Sequence, residues 1–154
     1  MDSDIVAPQS IYTSPLRRCL RTTSLAFEPL LEGVIPTIKE TLRERLGVHM
    51  CDQRSSRSWI ANAFPDFKIE ADFAEEDDMW RADRRESLEE HVVRSSALLT
   101  DIFAQDESEV IALTMHSGAI MALFSAVGWK KVPVAAGAVY PLLVCARKVK
   151  GNER

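Results

Sequence analysis

Short runs of β-prone apolar residues alternate along this chain with longer stretches of helical periodicity. Ile11, Tyr12 and Thr13 form the first such run, which stops at Ser14-Pro15. Ser14 suits the cap of a helix and Pro15 its first turn, where a missing N–H leaves no bond unmade. Beyond them Leu16, Cys19, Leu20, Thr23, Phe27 and Leu30 recur on one face, with Gly33 as the stop. Residues 34–38 read as a second short strand leading into Leu42-Arg43-Glu44-Arg45. Residues 47–83 lose the periodicity, and Trp59, Phe64, Phe67, Phe73 and Trp80 stand there among charges. That pattern predicts an excursion from the main layer with one short helix at residues 57–63. Its acidic run, Glu75-Glu76-Asp77-Asp78, reads as a solvated loop or helix start.

A long helix is predicted over residues 83–103, with Leu88, Val92, Ser95, Leu99 and Ile102 inward and a Glu90–Arg94 pair outside. Residues 110–115 are continuously β-prone, as expected of a strand buried on both faces. This run ends in His116-Ser117-Gly118, and residues 119–127 form an almost wholly apolar helix stopped by Gly128. Residues 138–146 read as a closing strand that Pro141 places toward the sheet edge. Strands separated by long helical crossovers predict a three-layer α/β/α sandwich around a mostly parallel sheet, as one domain over residues 1–154.

Composition narrows the partners. The chain is 46% hydrophobic and 27% charged, ordinary for a globular protein, and its net charge is -4. It has no cationic excess to displace counterions, which argues against nucleic acid. A few converging arginines can still bind a phosphate on an acidic protein. The apolar stretch 118–129 is too short to span a membrane, and the acidic N-terminus lacks a secretory layout. Cys19, Cys51 and Cys145 are odd in number and without CxxC spacing, which favours free thiols and a cytoplasmic protein.

Three signals stand at strand ends, where α/β proteins place ligands. Arg18 lies one turn after Ser14, and helical side chains lean back toward the N-terminus, so its guanidinium is expected over the helix mouth. On spacing alone Arg17, Arg18 and Arg21 also fit a solvated basic face. His116 leaves a buried strand directly before a helix start, where a charge-assisted hydrogen bond to a phosphate oxygen would contribute roughly 1.5–3 kcal/mol. A satisfied structural histidine fits that position too. Glu44, between two arginines, reads either as a proton donor or as an ion-pair member. His49 with Cys51 invites a zinc reading but has no second ligand pair, and no GxSxG elbow supports a serine hydrolase.

Taken together, Thr-Ser-Pro-Leu-Arg-Arg, Leu-Arg-Glu-Arg-Leu-Gly and Thr-Met-His-Ser-Gly-Ala-Ile resemble three motifs of the histidine phosphatase superfamily, in the same order. Arg85-Glu86-Ser87 and Gly137-Ala138-Val139-Tyr140-Pro141 look most like the fungal phosphomutase-like branch. The resemblance, over residues 11–147, implies a phosphoglycerate mutase-like fold that hydrolyses or transfers phosphate on a small phosphorylated metabolite. It implies phosphate binding by Arg18 and Ser14, phosphoryl stabilisation by His116 and protonation of the leaving oxygen by Glu44. No metal or other cofactor is implied. Such chemistry needs positioned positive charge and a proton for the leaving group.

The departure lies at the nucleophile. Family members begin with a strand ending in Arg-His-Gly, internal to the sheet, whose histidine is phosphorylated. No Arg-His-Gly occurs in this sequence, and neither His49 nor mid-helix His91 has the context to replace it. The domain is therefore expected to be incomplete at its N-terminus and inactive. The alternative is a non-catalytic phosphate-ligand-binding or accessory module, and an oligomer or partner covering the absent strand is expected.

Overall fold

A computed structural model describes residues 6–130 and 132–147. Four strands form one parallel sheet in the order β3-β2-β1-β4: β1 (Ser10–Thr13), β2 (Thr37–Ile38), β3 (Lys68–Ile69) and β4 (Ile111–Thr114). β1 and β4 pair from Ser10 opposite Ile111 to Thr13 opposite Thr114. Side chains alternate across a strand, and the core divides accordingly. Tyr12, Ile111 and Leu113 pack with Leu42, Leu98, Ile102 and Leu123 on one face. Leu20, Ile38, Ile60, Phe67 and Phe73 build the cluster on the other. The helices are α1 (Arg17–Ala26), α2 (Arg57–Ala63), α3 (Leu88–Gln105) and α4 (Ser117–Ala126). The architecture is the expected parallel α/β sandwich, and α2 stands where the short helix was predicted.

Several local expectations are corrected. Leu16, not Ser14, is the cap of α1, and no side chain caps that end. Ser14 is drawn instead toward β4, its backbone N–H donating to Thr114 at 3.0 Å. The helix stops at Ala26, well before Gly33, because Pro29 lacks an N–H and disfavours helix in the residue before it. A single three-ten turn, Glu28–Leu30, takes its place. The strand expected at 34–38 pairs only at Thr37–Ile38, and β3 was not foreseen.

The long helix α3 begins at Leu88 because Ser87 and Glu90 close a capping box. Its buried side is His91, Ser95, Leu98 and Ile102, while Leu88 is 64% exposed. The shift has a polar cause: this side faces the segment at Thr41–Glu44, whose carbonyls need donors. Arg94 supplies them, donating to the carbonyls of Thr41, Arg43 and Glu44 and pairing with Glu86 at 2.7 Å, while Glu90 pairs with Arg84. The acidic run is not uniformly solvated either. Asp77 accepts both terminal nitrogens of buried Arg43, at 2.7 and 2.6 Å.

β4 is half-buried throughout, not buried on both faces, because among the described residues it pairs with β1 alone. Residues 138–146 form no ladder. Tyr140 lies edge-on to Phe124 and Leu142 reaches the core, while Val139 and Leu143 are exposed. The burial therefore alternates as in a strand, but without a strand's hydrogen bonds.

Candidate functional site

Ser14 follows the last residue of β1 and His116 lies two residues after the end of the adjacent β4, in the turns that lead into α1 and α4. Parallel pairing in register thus sets both helix mouths side by side, which is why residues far apart in sequence meet. His116 is buried, and its Nε2 lies 2.8 Å from the Ser14 hydroxyl. Arg18, in the first turn of α1, donates from Nε to His116 Nδ1 at 3.1 Å. An Nδ1 that accepts leaves the ring proton on Nε2, which then donates to Ser14. Cys19 Sγ lies against the same ring, 3.4 Å from Nε2. Burial first, and then the Arg18 charge, push the imidazole down to about 3, so at neutral pH the ring is uncharged. Burial likewise pushes the Cys19 thiol up to about 12.

The Arg18 guanidinium does not simply overhang its own helix. Its Nη1 donates to the Cys51 carbonyl at 2.7 Å and its Nη2 to Asp52 Oδ1 at 3.0 Å. Arg18 is nevertheless 46% exposed, so one edge of the fork faces solvent. That edge opens on a cavity of about 490 Å³ lined by Arg17, Arg18, Met50, Cys51, Gln53 and Ser55 among others. Arg17 is held beside it, donating to Ser55 at 2.9 Å with its guanidinium 4.0 Å above the Trp59 ring. Arg21 alone of the three arginines keeps to the solvated-face reading: it is exposed.

Glu44 is carried to the mouth of α4 by the segment that Arg94 holds. Its Oε2 accepts from Gly118 N at 3.0 Å and its Oε1 from Arg45 N at 2.9 Å. It thus caps α4 from a distance, two residues beyond His116. The approach is close: a Cβ on Gly118 would lie 2.1 Å from Glu44 Oε1. The four residues singled out from sequence are therefore gathered at one end of the sheet, three in direct contact and Glu44 on the adjoining turn.

Sequence reasoning missed Asp52, which holds Arg18, and gave Arg85 no role. Asp52 Oδ2 accepts from Arg85 Nη1 at 3.0 Å. The available signal was a carboxylate in a tract crowded with arginines, too weak without the fold. Arg54 is structural, its fork donating to the carbonyls of Ser55, Ala74, Glu75 and Glu76, and Arg57 is exposed. Among the described residues no group of three or more His, Cys, Asp or Glu side chains could hold a metal ion. Nor is any described helix long and apolar enough to cross a membrane.

Comparison with known proteins shows a family for the chain. The profile of the histidine phosphatase superfamily (branch 1) matches residues 3–145. The chain is 43% identical over 148 residues to a probable phosphoglycerate mutase of Arthroderma benhamiae, covering 94% of this chain and 44% of the relative. It is 35% identical over 142 residues to phosphomutase-like protein 3 of Candida albicans, covering 92% and 45% respectively. A phosphoglycerate mutase-like protein 1 of Arabidopsis thaliana is 42% identical over 80 residues, covering 52% and 28%. The chain thus spans less than half the length of these relatives.

Proposed function

Because this chain belongs to the histidine phosphatase superfamily, we propose that Arg18, Ser14 and His116 form the retained half of a phosphate site for a small phosphorylated metabolite. The observation that carries this reading is the contact between Arg18 Nε and His116 Nδ1 at two helix mouths on neighbouring strand ends. Helix N-termini and an arginine fork offer an anion its donors. As found, Arg18 Nε donates to His116 Nδ1 and the His116 Nε2–H donates to Ser14, so a bound phosphate would meet Arg18's exposed edge and draw the His116 N–H away from Ser14. Glu44, whose oxygens accept from Gly118 N and Arg45 N as found, is the candidate donor of a proton to the leaving oxygen once protonated. In a complete site the phosphoryl group would pass through a phosphohistidine, as hydrolase or mutase, with no metal step.

The chain as given holds no Arg-His-Gly, and we expect it to form no phosphohistidine and turn over no generic phosphate monoester. Activity that survives chelators and disappears in His116→Ala would contradict this. Binding is a separate matter, and the same observation supports the alternative of a non-catalytic phosphate-binding module. We expect inorganic phosphate to bind, and Arg18→Ala to weaken it about 10- to 150-fold, as for one charged hydrogen bond of roughly 1.5–3 kcal/mol. Calorimetry on the two proteins decides it: equal affinities would remove Arg18 from the site.

A further inference from the structure

Two guanidiniums share one carboxylate at the rim of this site. Asp52 accepts from Arg18 Nη2 on Oδ1 and from Arg85 Nη1 on Oδ2, each at 3.0 Å, and its side chain is only 6% exposed. Neither arginine has another carboxylate partner among the described residues. The neighbouring cations are matched elsewhere, Arg43 by Asp77 and Glu40, and Arg94 by Glu86. The Arg18–Asp52–Arg85 group therefore carries a net positive charge. An ion pair serving structure alone needs no such surplus.

The carboxylate is also fixed from behind. It stands on a single three-ten turn, Met50–Asp52, whose last carbonyl accepts from Arg43 Nη2 at 2.8 Å. The same turn offers the Cys51 carbonyl to Arg18 Nη1, so two consecutive residues grip both arms of one fork. Arg85 is anchored in addition to the Gly47 carbonyl at 2.6 Å and is a quarter exposed, leaving N–H groups toward solvent.

We propose that Asp52 is the positioning residue of the phosphate site, setting the Arg18 fork and bringing Arg85 beside it as a second cation for the anion. This rests on the phosphate-site reading above. The charge of Asp52 makes the proposal testable, because a carboxylate near a bound anion opposes binding by Coulomb repulsion. If Asp52 did not position Arg18, removing its charge would tighten binding.

The test is calorimetric titration of the full chain with inorganic phosphate, with thermal melting of each variant in parallel. Asp52→Asn should bind about 10-fold or more weakly, a loss of the size of one charge-assisted hydrogen bond, and Asp52→Glu should recover part of it. Equal or tighter binding by a folded Asp52→Asn overturns the proposal. Should Asp52→Asn not fold, Arg85→Gln, at a more exposed position, should still weaken phosphate about 10-fold, and unchanged affinity there overturns it equally. A parent chain that binds no phosphate defeats the underlying reading and this inference with it, whereas a binding parent with indifferent variants defeats this inference alone.

Discussion

His116 sits between a guanidinium donor, a hydroxyl and a thiol, almost without water, and its proton balance follows from that. Burial and Arg18 push it down to about 3, whereas an unfolded histidine titrates near 6.5. Between those values the unfolded chain holds a proton that the folded one lacks. Stability is therefore complete above about pH 6.5 and falls as the pH drops through the window, by about 1.4 kcal/mol per unit. Burial lowers His91 as well, adding a loss of the same sign. Urea unfolding should thus show roughly 2 kcal/mol lost to His116 between pH 7 and pH 5, while Glu40, raised by burial, works in the opposite sense. His116→Gln should flatten that dependence, and an unchanged slope would show that the ring is already charged in the fold. At this scale the sequence revealed Arg18 and His116 because each belongs to a compact motif at a strand end. It could not reveal that they bond to each other, nor that Asp52 grips Arg18 from 34 residues away, since such contacts arise only from how the crossovers return.

Between elements, α4 and the segment bearing Glu44 meet closely. An added Cβ on Gly118 would fall 2.1 Å from Glu44 Oε1, the end of a side chain that can swing away. Gly118→Ala should expel the carboxylate and leave the α4 mouth without its acceptor, lowering stability by about 1–3 kcal/mol. In a Glu44→Ala background the same change should cost much less, because the clash is gone. A double-mutant cycle by chemical denaturation measures the coupling, and additive effects would show that the two residues do not meet. Elements with strong local signals were legible: α4 from its apolar run, α2 from its position among aromatics, β1 and β4 from β-prone residues. Two-residue strands such as β3 carry no periodicity to read. The phase of α3 was misjudged because its inner face satisfies backbone carbonyls through Arg94 as much as it buries apolar surface. The stretch 138–146 has a strand's alternation, but a ladder needs a partner strand, which no local pattern supplies.

For the molecule as a whole, the decisive feature is the outer side of β4. Among the described residues the sheet ends there, although Ile111, Leu113 and Met115 pack on the core as an interior strand would. The stretch beyond it, around Tyr140 and Leu142, holds on through side chains alone. A strand set against β4 would give a ladder to backbone groups that lack one among the described residues. Open edges of this kind also pair with other chains. We therefore expect the 154-residue chain to self-associate or to melt without cooperativity. Extending it by a strand ending in Arg-His-Gly should restore a sharp transition and a monomer. Thermal unfolding and light scattering of both proteins at matched concentration test this. A monomeric, sharply melting 154-residue chain would refute the open-edge account and favour a dedicated binding module, closed at β4 by another part of itself.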